Sequence, residues 1–116
     1  MLLLWSANLE KGCEQAFKDF VCKNIETYRR HSPPGWSLVG VYGSTFNLGP
    51  YDVTWVWKFA KFADMDAARE YSDPVLDRLA VEEMDLYLPG SANTVILREV
   101  EDWSVTAPKK PRKRKK

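Results

Sequence analysis

From Tyr51 to Phe59 the chain alternates: Tyr51, Val53, Trp55, Trp57 and Phe59 are apolar or aromatic, and Asp52, Thr54 and Lys58 fall between them. Successive side chains of a strand point to opposite faces, so this spacing predicts a strand with one aromatic face. Met1 to Leu9 is an apolar run suited to a largely buried strand, broken by Glu10-Lys11-Gly12. From Cys13 to Arg30 the period changes. Cys13, Ala16, Phe17, Phe20, Val21, Ile25 and Tyr28 recur at steps of three and four, which predicts an amphipathic helix. His31-Ser32-Pro33-Pro34-Gly35 ends it, because the paired prolines lack amide donors and disfavour helical geometry in the preceding residue. Trp36 to Ser44 reads as a second strand, and Phe46-Asn47-Leu48-Gly49-Pro50 turns it into the aromatic one as an antiparallel hairpin. Asp64 is the expected N-cap of a helix opened by Met65, Ala67, Ala68 and Tyr71 and interrupted at Ser72-Asp73-Pro74. Pro74 suits the first turn of a restart, whose apolar stripe is Val75, Leu76, Leu79, Ala80 and Met84 with the acidic residues facing outward. Leu88-Pro89-Gly90 closes that helix, and Thr94 to Val100 alternates as a final strand.

The order strand, helix, strand, strand, helix, strand is the split β-α-β pattern. It predicts an α+β, ferredoxin-like βαββαβ fold, with a four-stranded antiparallel sheet and two helices on one face. The other sheet face is then bare. With Trp55 and Trp57 assigned to it, joined by Trp36, Leu38 and Tyr42, that face is too apolar for a lone domain, and pairing two sheets face to face would cover it. A chain of 116 residues is about one domain long, here residues 1–103, followed by a tail at 104–116.

Charge divides the chain more sharply than its net of +1 suggests. Lys109, Lys110, Arg112, Lys113, Arg114, Lys115 and Lys116 hold seven of the 17 basic residues, leaving ten against 16 acidic ones in the body. From Ala107 to Lys116 the tail has no apolar residue that could anchor it, and it is expected to be disordered, to bind a polyanion such as nucleic acid weakly, or to act as a nuclear import signal in a nucleated host. Cys13 and Cys22 fall on opposite sides of one helix, roughly 13 Å apart along it, too far to bridge. A single histidine and no paired-cysteine spacing argue against a metal site. Met1 to Trp5 is too short to span a membrane and lacks the flanks of a leader peptide. A cytoplasmic protein without membrane contact is the expectation. No serine elbow, phosphate-cradling glycine loop or metal-ligand helix pair is present in the sequence, so hydrolase, kinase and nicotinamide-enzyme readings have no motif behind them.

Trp36-Ser37-Leu38-Val39-Gly40-Val41-Tyr42 entering the hairpin, Val56-Trp57-Lys58-Phe59 leaving it, and Ser72-Asp73-Pro74 in the second helix carry a resemblance to the dimeric α/β-barrel superfamily. Within it the chain is most similar to NIPSNAP-like proteins and antibiotic-biosynthesis-type monooxygenases. The resemblance implies a homodimer whose two sheets form a barrel, with pockets for aromatic, polyketide-like or haem ligands. In the haem-degrading relatives an asparagine on the first strand, a tryptophan on the third and a histidine on the second helix do the work. Asn8 and Trp57 match the first two, but no residue from Asp64 to Tyr87 is a histidine. Haem is therefore not expected, and no cofactor is. Cofactor-free oxygenation of a phenolic substrate fits better, since the protein then need only bind, deprotonate and orient it.

The candidate residues follow. Trp36, Tyr42, Trp55, Trp57 and Tyr71 are candidates to line a pocket, and Arg98 to hold a carboxylate. His31, the one side chain with an ordinary pKa near neutrality, is the candidate general base, or else simply a partner of the helix dipole. Asn8 is a candidate oxyanion donor, or else a binder of the following turn. Two functions remain in view. One is a homodimeric small-molecule-binding barrel with cofactor-independent monooxygenase-like activity on an aromatic or polyketide-like molecule. The other is a non-enzymatic dimeric interaction module whose basic tail binds nucleic acid or another polyanion.

Overall fold

The computed structural model describes residues 1–104. The tail residues 109–116, with the expectations attached to them, lie outside the described residues.

The elements follow the predicted order: β1 (Leu2–Ala7), α1 (Glu14–Arg30), β2 (Trp36–Gly43), β3 (Val53–Phe59), α2 (Ala63–Glu70), α3 (Pro74–Met84) and β4 (Asn93–Leu97), then a short 3-10 turn at Val100–Asp102. All pairings are antiparallel and the sheet order is β2-β3-β1-β4, the ferredoxin-like arrangement. Asp73 caps α3, its carboxylate accepting from the Val75 and Leu76 amides, and Pro74 occupies the first turn.

The direction of the aromatic face corrects the sequence reading. Trp55 is only 3% exposed and meets Phe17 and Tyr28 of α1 edge-on, and Phe59 is buried beneath Trp36. The odd positions of β3 thus face the helices and form the core with Ala7, Phe17, Phe20, Leu38, Val53 and Leu79. The uncovered face carries the other set, in which Leu4 stands between Val56 and Val95 and Leu2 between Lys58 and Leu97. That face is apolar too, because β1 is apolar at every one of its first four positions. The alternation correctly grouped the residues and assigned the group to the wrong side.

A bulge explains a second correction. The β2–β3 register shifts between Leu38 and Gly40, so Trp36 and Leu38 share the helix-facing side with Val41, while Tyr42 turns to the open face. Tyr42 lies along that face over Gly40, where a Cβ would come within 3.0 Å of its hydroxyl. Arg29 of α1 reaches across to the bulged edge strand, its guanidinium donating to the Leu38 and Val39 carbonyls at 3.5 and 3.4 Å.

Two acidic residues also depart from expectation. Asp64 is not an N-cap: Phe62 holds that place, and the buried Asp64 carboxylate accepts from the amides of Ala60 and Lys61 in the preceding turn, at 3.2 and 3.1 Å. Glu83 was expected to face outward with its acidic neighbours, yet it is 8% exposed. Its Oε1 accepts the Tyr28 hydroxyl at 2.7 Å and its Oε2 accepts the Tyr87 hydroxyl. Tyr87 in turn accepts the Trp55 indole N–H at 2.9 Å, so one polar chain links α1, α3 and β3 inside the core.

Gly35 opens β2 at φ +85, and a Cβ there would lie 2.6 Å from the Asp64 carboxylate. Gly35→Ala is expected to lower stability by about 2 kcal/mol, from left-handed backbone strain together with that clash. This corresponds to a fall of roughly 10 °C in a thermal melt. The Glu83 carboxyl is pushed above its ordinary value by burial, against the opposing hydrogen bonds from Tyr87 and Tyr28. A raised folded-state pKa means stability fully present below the ordinary value and lost as pH rises through the raised one. Urea midpoints of the natural protein should therefore fall relative to those of Glu83→Gln as pH is taken from 4 toward 8.

Candidate functional site

The corner where α1 turns into β2 builds the site. The Pro33 carbonyl accepts the Trp36 amide at 3.0 Å, closing the turn that Pro33, Pro34 and the left-handed Gly35 demand. The Trp36 indole N–H then donates to the Asp64 carbonyl at 2.7 Å. Its ring stacks on Phe59, with centroids 4.4 Å apart and planes at 19°, and meets Trp57 edge-on at 6.5 Å. Between this corner and α2 lies an apolar cavity of about 200 Å³ lined by Leu3, Pro33, Trp36, Trp57 and Ala68. Its walls offer flat aromatic surface and very little polar area, which suits a planar apolar molecule.

The indole donors separate the tryptophans. Trp36 and Trp55 each have a protein acceptor. Trp57 is half-buried in the cavity wall, and among the described residues its N–H has no hydrogen-bond partner. Trp5, on the same sheet face near Tyr87, is in the same position beside a second cavity of about 270 Å³.

The polar group nearest in sequence to the cavity is assembled from three helix ends. His31 caps the end of α1, Tyr71 that of α2, and Asp73 begins α3. His31 Nδ1 is 2.8 Å from Asp73 Oδ2, and the Tyr71 hydroxyl donates to the His31 carbonyl at 2.8 Å and to Asp73 Oδ2 at 3.1 Å. Asp73 is held down to about 2, chiefly by the hydrogen bond from His31, with the Leu76, Tyr71 and Val75 donors adding to it against the cost of desolvation. The Tyr71 phenol is pushed up by burial and by its bond to Asp73. A carboxylate that stays ionised and accepts Nδ1–H leaves the neutral imidazole with its lone pair on Nε2. Among the described residues nothing hydrogen-bonds Nε2, and the His31 side chain is 33% exposed. The arrangement is that of an oriented base. The α1–β2 turn supplies both His31 and Pro33, and the α2 end both Tyr71 and Ala68, so the same two segments hold the pair and the cavity.

The other candidates fall elsewhere. Trp55 is sealed in the core, bonded to Tyr87, and lines no cavity wall beside Trp57. Tyr42 is on the open sheet face. Arg98 lies just beyond β4, its guanidinium carbon 6.0 Å from the Phe62 ring centroid. Asn8 is spent on structure: its Oδ1 accepts the Asp52 amide at 2.9 Å, its own amide donates to Ser91 Oγ, and its carbonyl accepts from Leu88. It ties the end of β1 to the β2–β3 loop and to the segment after α3, rather than to the turn that follows it. Asp73 is the residue that the sequence reading missed as a functional group. The signal was there as punctuation, an aspartate before a proline, with nothing to connect it to a histidine 42 residues away.

Among the described residues no group of histidine, cysteine and carboxylate side chains is placed to hold a metal, and no helix is long and apolar enough to cross a membrane. No family model matches the sequence, and no curated protein does either. Solved structures do. A crystal structure of a protein from Agrobacterium tumefaciens superposes with a TM-score of 0.69 at 21% identity, covering 90% of this chain and 98% of that one. A second crystal structure from that organism, described as a NIPSNAP family protein with unknown function, gives a TM-score of 0.65 at 23% identity over 83% of this chain and 84% of that one. At this identity the likeness is one of fold, and the chain has the ferredoxin-like α+β fold of that NIPSNAP family protein.

Proposed function

We propose that the protein binds a small, planar, largely apolar molecule in the cavity between the sheet and α2, and that it does so as a homodimer. The observation that carries this reading is Trp57: a half-buried indole that lines an apolar cavity of about 200 Å³ and whose N–H has no hydrogen-bond partner among the described residues. A ligand carrying one oxygen would accept that N–H while its ring lies against Trp36 and Trp57. The uncovered sheet face, with Leu4, Val56 and Val95 side by side across three strands, supports face-to-face pairing with a second copy.

The oriented His31 supports a finer reading, a cofactor-independent oxygenase acting on a phenol-like substrate. His31 Nε2 takes the phenolic proton, Asp73 stabilises the resulting imidazolium, and the cavity holds the electron-rich ring in place. His31 stands two residues before Pro33, which lines the cavity, so this reading requires a substrate that extends from the cavity to Nε2.

Titration of tryptophan fluorescence with quinols and phenolic polyketides should give saturable quenching. Trp57→Leu should weaken it about tenfold through the lost stacking and hydrogen bond, an effect worth roughly 1.4 kcal/mol. His31→Gln should leave quenching intact and lower any oxygen consumption by about 100-fold or more. Indifference of the natural protein to the whole panel would remove the cavity reading. Light scattering at micromolar concentration should return twice the 13.4 kDa chain mass, and Leu4→Asp should return the single mass. A monomeric natural protein would remove the pairing.

A further inference from the structure

A larger cavity than the one at Trp57 lies elsewhere on the sheet. It has a volume of about 400 Å³ and opens at the end of the sheet where β1 begins and β3 and β4 finish. Its floor is apolar, made by Leu2, Val39 and Leu97, and its rim carries Lys58, Arg98 and Glu99. The sheet register explains the grouping. Leu2 sits opposite Lys58 on one side and Leu97 on the other, so these three form one row across β3, β1 and β4 on the uncovered face.

We propose that this cavity is a binding site for an apolar monocarboxylic acid, with Lys58 and Arg98 holding the carboxylate and the Leu2, Val39 and Leu97 floor taking its hydrocarbon or aryl body. The first support is the state of the two cations. The ion pairs among the described residues are Arg29–Glu26, His31–Asp73 and Arg69–Asp66, and none involves Lys58 or Arg98. Arg98 is further restrained by Phe62, 6.0 Å from its guanidinium carbon, so less side-chain freedom is lost when its donors engage an anion. A planar carboxylate matches that fork in two parallel bonds, and Lys58 adds a point charge.

The second support is the balance of charge. Glu99 offsets one of the two cationic side chains of the lining, so a monoanion is enough to balance the charge that Lys58 and Arg98 leave over, whereas a dianion or polyphosphate would set uncompensated negative charge against Glu99. The third is the apolar floor, which an inorganic anion would leave uncovered. A second copy laid over this face gives the same answer. Burying Lys58 and Arg98 without an anion costs several kcal/mol per charge, so a carboxylate at this end neutralises the rim in the single chain and in the pair alike. The site is separate from the Trp57 cavity: they share no lining residue and lie on opposite faces of the sheet.

Isothermal titration of the full chain with 2-naphthoate and with the neutral isostere 2-naphthamide tests the assignment. The acid is expected to bind at least about tenfold more tightly than the amide. Lys58→Met and Arg98→Met should each lower affinity for the acid by about tenfold and leave the amide unchanged, and Glu99→Gln should tighten the acid several-fold. Trp57→Leu should have no effect on the acid, which separates this site from the proposed aromatic cavity whichever way that reading falls. All three rim residues are exposed, so circular dichroism of the variants should match that of the natural protein. Equal affinity for acid and amide, no heat with 2-naphthoate up to millimolar concentration, or acid binding that survives both rim substitutions would overturn the proposal.

Discussion

The carboxylate of Glu83, enclosed between the hydroxyls of Tyr28 and Tyr87, decides how the helical layer closes on the sheet. The helix that carries it, α3, buries Leu79 in the core and packs Leu76 partly against it, a small apolar contribution for a helix of 11 residues. The polar chain Tyr28–Glu83–Tyr87–Trp55 adds a directional constraint that apolar contacts lack, because its bonds fix which donor meets which acceptor. Burial pushes both phenols well above their ordinary value, which favours the protonated form that donates to Glu83. A buried carboxylate without them would carry an unmet desolvation cost of several kcal/mol.

That chain also divides labour among the tryptophans. Trp55 gives its N–H to Tyr87 and its ring to Phe17 and Tyr28, and nothing of it is left for a ligand. Two residues further along β3, Trp57 packs on the edge of the core and lines the cavity that Ala68 of α2 also lines, where the alanine is too small to fill the space.

Much of the fold was legible because each element carries its own period and its own stop. The proline pair after α1, Asp73-Pro74 before α3 and the alternation of β3 each act within a few residues, and each was read correctly. What failed was orientation. Alternation groups residues without saying which group the helices cover, and with Leu2, Leu4, Val56, Val95 and Leu97 on one side and Trp55, Trp57 and Phe59 on the other, both groups were apolar enough. The bulge after Leu38 had one local sign, Gly40, which is also an ordinary strand glycine. Asp64 and Glu83 were misassigned for a related reason: a carboxylate at a helix start reads as a cap and one on a charged helix reads as solvated, while their real partners lie in a preceding turn and in two other elements. Strand position marked Trp36 and Trp57 as aromatic candidates, but on the bare face, whereas the cavity they line lies on the side of the helices. The His31–Asp73 pair was not legible, since single-residue chemistry does not disclose partners brought together by three helix ends.

The grip of Arg29 on the bulged carbonyls of β2 bears on what the molecule can polymerise into. A sheet with two open edges can add copies head to tail, β2 of one to β4 of the next, and such a contact never closes. With its outer edge bent by the bulge and its carbonyls at Leu38 and Val39 already engaged, β2 makes a poor template for an incoming strand. Arg29 therefore blunts the β2 edge, since carbonyls bonded within the chain and a bent strand offer an incoming strand few free partners.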